Sequence, residues 1–458
     1  MKKLLIPLLL VACVVIAIGC AGDGTVAVVL SYLYFTGYDE AHGAELWKSD
    51  GTVEGTGMVK DIYPGATNSS LGYLTNVNGT LYFSADDGTN GTELWKSDGT
   101  DAGTVMVKDI NTGAGASSYP GYLADVNGTL YFRANDGTNG LELWKSDGTV
   151  DGTVMVKDII TGAPGSSPYY LTNVNGTLFF VVNDGTNGIE LWKSDGTDLG
   201  TVMVKDINPG ASHSNPGYLT NVNGTLYFRA TDGINGEDLW KSDGTVDGTV
   251  EVKDIYPGVT GSYPYYFTNV NGTLFFNVTD GTTGQELWKS DGTDLGTFMV
   301  KDINTGAGAS VNLTNVNGTL YFSATDGTNG YELWKSDGTD AGTVMVKDIY
   351  PGASHSNPQY LTNVNGTLYF SANDGTNGYE LWKSDGTDAG TVMVKDINTG
   401  ASSSSPQYLT NVNGTLFFAA DDGIHGYEPW KSDGTAAGTV MIMDALEGSG
   451  NGFYMPPT

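Results

Sequence analysis

The groups with chemistry to offer in this 458-residue chain are mostly carboxylates, and they return at fixed intervals. Asp98-Gly99-Thr100-Asp101 sets two carboxylates in one glycine turn. The same spacing recurs as Asp195 and Asp198, Asp291 and Asp294, and Asp337 and Asp340. Carboxylate and carbonyl oxygens in such turns are ligands for a hard cation, so these eight acids are candidate calcium ligands. Their spacing differs from an EF-hand loop and from the glycine-rich calcium nonapeptide. Asp also accepts backbone N–H bonds and shapes tight turns, and that role accounts for the pattern without any ion. The turn role is therefore preferred, and no other cofactor is expected.

Catalysis needs residues that break a repeat, and few do. His42, His213, His355 and His425 are the only histidines. His213 and His355 sit in identical Ser-His-Ser-Asn-Pro loops three units apart, where solvated loop positions are expected. Arg133 and Arg229 are the only arginines, at matching positions two units apart, and are candidate contacts for an anionic ligand or a sugar. Paired carboxylates for glycoside cleavage cannot be singled out when every unit carries the same acids. The cysteines are Cys13 and Cys20 alone, so residues 21–458 hold neither a thiol nucleophile nor a disulfide. No catalytic constellation emerges.

The elements that position these groups follow from internal repetition. All nine tryptophans (Trp47, Trp95, Trp144, Trp192, Trp240, Trp288, Trp334, Trp382 and Trp430) mark one motif at intervals of 48 residues, with one interval of 49 and one of 46. Within a unit, Tyr73–Val77 reads as a strand. Asn78-Gly79 follows, a pair suited to a type I′ hairpin turn, where both central residues need positive φ. Thr80–Ala85, Glu93–Ser97 and Val105–Ile110 read as three further strands, separated by glycine-rich turns. Strands two and three are apolar on both faces, as in sheets stacked against other sheets. Four strands per unit of this length predict an all-β fold, a single β-propeller of nine four-stranded antiparallel blades. Eight blades plus a partial unit, or two smaller propellers, are the alternatives. Val26–Val29 and Tyr32–Phe35 fit the first two strands of a divergent first unit. The tryptophans are expected to pack between blades.

The unit resembles the prokaryotic secreted proteins defined by the ELWxxDGT repeat, loosely called hyalin-like. ELWKSDGT stands complete in seven units, with variants at Asp238-Leu239-Trp240 and Glu428-Pro429-Trp430. The likeness covers nearly all of residues 25–444. It implies an exported, propeller-like surface protein and no particular activity.

The remaining features bear on location and partners. Lys2 and Lys3 precede an apolar run, Leu4–Ile18, the pattern of a secretory signal. Ala17-Ile18-Gly19-Cys20 resembles a lipobox, with Cys20 as the lipidated residue. The expected organisation is a signal over 1–20, the propeller over 21–447 and a tail over 448–458. The only membrane link is then the anchor. A net charge of −31 disfavours nucleic acid and anionic lipid surfaces as partners. Most of the acids belong to the repeat, so the charge is expected to be displayed around the ring. Tyr119, Tyr169, Tyr170, Tyr265 and Tyr266, placed in the linkers, could stack on sugar rings. Asn-Gly-Thr also fits a glycosylation sequon, although the turn accounts for it. The expected function is an exported surface binding or scaffold protein presenting equivalent sites to a glycan, a protein or cations. A propeller-type carbohydrate-active enzyme and a structural surface-layer component are the alternatives.

Overall fold

The computed structural model describes residues 26–29, 32–305, 308, 310–445 and 450–452. The signal and Cys20 lie outside the described residues. Nine four-stranded antiparallel sheets account for the strands, and no helix occurs among the described residues. Blade 2 is representative: Gly72–Val77, Thr80–Asp86, Thr92–Ser97 and Val105–Lys108 pair in sequence order. Asn78 and Gly79 have φ of 50° and 85°, the geometry the Asn-Gly pair predicts. The fourth strand stops at Lys108, short of the expected Ile110, because Ile110 turns its N–H toward a side chain described below. The divergent first unit forms a full blade, from Val26–Val29 to Gly57–Lys60.

The first strands of successive blades lie beside one another and form the inner wall of the ring. The strand order places the Asn-Gly and Ser-Asp-Gly turns at one end of the ring. The turns between strands two and three, with the blade-to-blade linkers, lie at the other. Alternating side chains serve two neighbours. Leu81, Phe83, Ala85 and Trp95 pack on Tyr34, Leu46, Val59 and Ile62 of blade 1. On the opposite face Tyr82, Leu94, Val107 and Ile110 meet Leu130, Phe132 and Trp144 of blade 3. Each tryptophan thus fills a gap between blades and is at least nine-tenths buried.

One ring closes. Leu33, Phe35 and Trp47 of blade 1 pack on Val412, Phe417 and Ile442 of blade 9. The N–H of Tyr38 donates to Gly452 O at 2.9 Å. Every blade draws its four strands from a single repeat, so closure is made by side chains and a linker bond rather than by a shared sheet.

Candidate functional site

The acid before Leu-Trp is buried in every blade, with no exposed surface at all. Glu93 shows why. Its Oε2 accepts the N–H of Ile110 at 2.9 Å and the hydroxyl of Ser118 at 2.6 Å, and its Oε1 accepts the N–H of Ser118 at 2.9 Å. Glu93 therefore holds the linker that leaves its own blade for the next. Glu142, Glu190, Glu332 and Glu380 make the same bonds to their linkers. Burial pushes Glu45, Glu190, Glu332, Glu380 and Glu428 up to about 7 and Glu286 to about 8, while the N–H and hydroxyl donors pull the other way. These acids were expected on the surface of the ring, and the structure corrects that: they are internal staples.

The candidate cation ligands each have partners of their own. Asp98 Oδ1 accepts the N–H and the hydroxyl of Thr100 at 2.9 and 2.7 Å, bonds that hold its carboxyl below the usual range. Asp195, Asp291 and Asp337 cap their turns identically. Asp101 instead pairs with Lys60 of the preceding blade at 2.9 Å, as Asp198 does with Lys157, Asp294 with Lys253 and Asp340 with Lys301. The two acids of each turn thus serve different neighbours. No group of three or more His, Cys, Asp or Glu side chains suited to a metal occurs among the described residues.

The lysines are likewise committed to contacts between blades. Lys48, Lys96, Lys145, Lys193, Lys241, Lys289, Lys335 and Lys383 each donate to the glycine carbonyl of the next blade's Ser-Asp-Gly turn, at 2.7 to 2.9 Å. His213 and His355 are exposed, and each Nδ1 also accepts a backbone N–H, from Ile189 and Tyr331, at 2.9 Å. Ser117 and Ser403 do the same work in other linkers.

The inner wall carries a feature that the sequence pattern did not disclose. Gly72 pairs with Ser84 and Thr75 with Tyr82, so the first strand holds one extra residue, a bulge at Tyr73. Tyr73, Tyr122, Tyr170, Tyr218, Tyr266, Tyr360 and Tyr408 all occupy this place with φ between 53° and 56°. Positive φ costs a side-chain-bearing residue about 1–2 kcal/mol. The threonine two residues on accepts part of the burden: Thr75 Oγ1 donates to Tyr73 O at 2.9 Å, and Thr220 and Thr362 repeat the bond. The rings lie sideways across the gaps between blades. Tyr73 and Tyr122 have centroids 5.9 Å apart, Tyr122 and Tyr169 6.4 Å, and Tyr360 and Tyr408 6.5 Å. Tyr218, Tyr266 and Tyr360 keep about 40% of their surface exposed.

Tyr169, Tyr170, Tyr265 and Tyr266, expected in linkers, thus stand on the innermost strands, and of the five tyrosines so expected Tyr119 alone is an exposed linker residue. Burial pushes the Tyr169 and Tyr265 phenols up to about 12. Blade 7 breaks the belt. Asn312 replaces the tyrosine at φ 60°, and a cleft of about 150 Å³ lies there between Asn312, Ser323, Tyr331, Asn357, Pro358 and Gln359. Arg133 and Arg229 flank the belt, their guanidinium carbons 4.5 and 5.1 Å from the ring centroids of Tyr122 and Tyr218. Blade 5 carries its own set of charged substitutions, Arg229, Glu237, Asp238 and Glu251. Burial and the charge of Asp238 push Glu251 up to about 7, and Asn235 donates to it at 3.2 Å.

These features define a nine-bladed β-propeller of self-contained modules with an aromatic belt on its inner wall. No family model matches the chain, and no curated protein matches it. Among solved structures it is similar to a puromycin hydrolase, at 14% identity over 90% of this chain and 59% of that one, with a TM-score of 0.40. A prolyl endopeptidase structure matches at 12% identity over 79% of this chain and 54% of that one, with a TM-score of 0.41. A puromycin-hydrolyzing peptidase of Mycobacterium tuberculosis matches at 10% identity over 84% and 60%, with a TM-score of 0.39. The chain spans less than two thirds of each of these proteins, and likeness at this level does not bear on reaction or substrate.

Proposed function

We propose that this chain is an exported glycan-binding protein of the ELWxxDGT-repeat kind, and that the tyrosine belt is its recognition surface. The observation that carries the reading is the bulge. Seven blades hold a large side chain at a backbone angle that glycine would adopt without cost. Strain kept at matching positions around one channel points to use of the side chain rather than to folding.

The chemistry suits sugars. A tyrosine offers an apolar face and a polar tip, and a pyranose ring offers an apolar C–H face and a hydroxyl rim. The amides of Asn312, Asn357 and Gln359 beside the cleft supply donors and acceptors for such hydroxyls. Repetition around the ring lets weak contacts add as avidity along a polymer. The leader and Cys20 support an exported, lipid-anchored location, which places the belt where surface glycans are. The acids support this reading indirectly, because the Ser-Asp-Gly aspartates and the buried acids before Leu-Trp are held by backbone and hydroxyl donors of the protein itself.

A glycan array with the purified protein, followed by calorimetry on the best ligand, tests the proposal. Tyr218→Asn, Tyr266→Asn and Tyr360→Asn copy the residue blade 7 already tolerates. Each ring contributes roughly 1 kcal/mol of contact, so the triple variant is expected to lose at least about 100-fold in affinity while keeping its fold by circular dichroism. Unchanged affinity, or no glycan bound by the parent protein, overturns the reading.

A further inference from the structure

We infer that the channel wall at blade 3 receives the carboxylate of an acidic sugar, and that Arg133 is the group that binds it. The inference rests on the glycan reading above and specifies its ligand.

The two arginines are equivalent by sequence but not by surroundings. Arg133 pairs in register with Gly121, and Arg229 with Gly217. Arg229 Nε lies 2.9 Å from Glu237 Oε2, a charge contact rather than an aligned hydrogen bond. In blade 3 that position is Leu141. Arg133 has no carboxylate within ion-pair distance among the described residues, and its Nε is buried without a hydrogen-bond partner. That nitrogen is closed to solvent, as is Arg229 Nε, so an incoming carboxylate would meet the terminal amino groups of the fork. A Cβ on Gly121 would sit 3.3 Å from Arg133 Nε and 3.2 Å from Tyr73 Cζ, so this glycine makes room for cation and ring together.

Arg133 therefore stands on Tyr122, beside Tyr73 and within the run Tyr73, Tyr122, Tyr169. A planar fork presented next to aromatic faces matches a sugar that carries a carboxylate: the ring stacks while the guanidinium takes both oxygens.

The overall charge of −31 argues against an anionic ligand only if the acids lie at the wall. They do not. The described residues of the innermost strands contain a single acid, Asp125, whose Oδ1 accepts the N–H of Gly128 at 2.7 Å. Asp125 is four residues from Gly121, or about 13 Å along the strand, toward the Asn-Gly end. The lysines described above are spent on carbonyls and aspartates between blades, which leaves Arg133 as a cation with binding capacity on this wall.

The experiment is calorimetry at physiological ionic strength with the full chain, using tri-galacturonate and its methyl ester as probes. The parent protein is expected to bind the acid at least about tenfold more tightly than the ester, in line with about 1.5–3 kcal/mol for a charge-assisted bond. Arg133→Gln is expected to abolish that preference by bringing acid binding down to the level of the ester, with circular dichroism reporting that the fold is intact. Arg133→Lys, which keeps charge without the fork, should retain only part of the preference. Equal affinities for acid and ester in the parent, or a preference that survives in Arg133→Gln, overturns the inference while ester binding upholds the glycan reading. Failure of both probes, and of every neutral glycan on the array, removes the two together.

Discussion

Glu93→Ala should loosen one linker and leave its neighbours intact. The substitution removes the acceptor of the Ile110 and Ser118 N–H groups, both held at 2.9 Å in a site without solvent. The Ser118 N–H and hydroxyl have a fallback in Thr92 O, at 3.0 and 3.4 Å, but the Ile110 N–H has no second acceptor among the described residues. An orphaned buried donor costs about 1–3 kcal/mol, so loss of the Ile110 bond amounts to about 2 kcal/mol of local stability, or roughly thirtyfold in the opening equilibrium. A repeat ring need not unfold in one step, so a global melt is the wrong readout. Hydrogen–deuterium exchange resolved to peptides covering 110–118 is the right one, with 159–166 as the internal reference. Glu93→Gln, which keeps one acceptor oxygen, should show about half the effect in free energy. Exchange at 110–118 within threefold of the parent in Glu93→Ala would refute the staple.

Two further outcomes follow from the same geometry. The buried glutamates have raised folded values near 7, above their unfolded value. The stability they contribute is thus fully present below about 4.5 and is lost as pH rises through about 7. The turn aspartates, lowered by their threonine bonds, act in the opposite sense, contributing above their unfolded value and losing effect in acid. Melting temperature should therefore be higher at pH 5.5 than at pH 8.5, and a flat or rising profile would contradict the burial argument. Gly99→Ala should destabilise the junction of blades 1 and 2 by at least about 1–2 kcal/mol through its φ of +88°. The new Cβ would also meet Tyr34 Oη at 2.3 Å, so Tyr34→Phe in the same chain should recover part of the loss in a denaturant melt.

Much of the architecture was legible because the module repeats and because its signals are local. Asn-Gly dictates a hairpin, the tryptophans mark the packing face, and apolar runs on both strand faces demand neighbours. The buried glutamate was legible too, in retrospect. Glu93 precedes Leu94-Trp95 in a strand with no wet face, so an acid there has nowhere to go but inward. Its partner, a linker serine 25 residues on, carries no signal of its own. The tyrosine belt could not be read off. Tyr73, Tyr122 and their equivalents follow glycine- and proline-rich segments that look like loop, and the bulge depends on one residue of register, which pairing alone decides. The contrast between Arg133 and Arg229 was visible as Leu141 against Glu237, but only a known register makes those positions neighbours.

The way the ring shuts has a consequence for its history and its handling. Because no blade borrows a strand from another repeat, every junction is interchangeable with the one at which the chain happens to start. Gene segments could be gained or lost in whole modules by recombination between near-identical copies, each product again a set of finished wedges. New termini cut into any linker, with the old ones joined, should give a permutant that folds to the same circle.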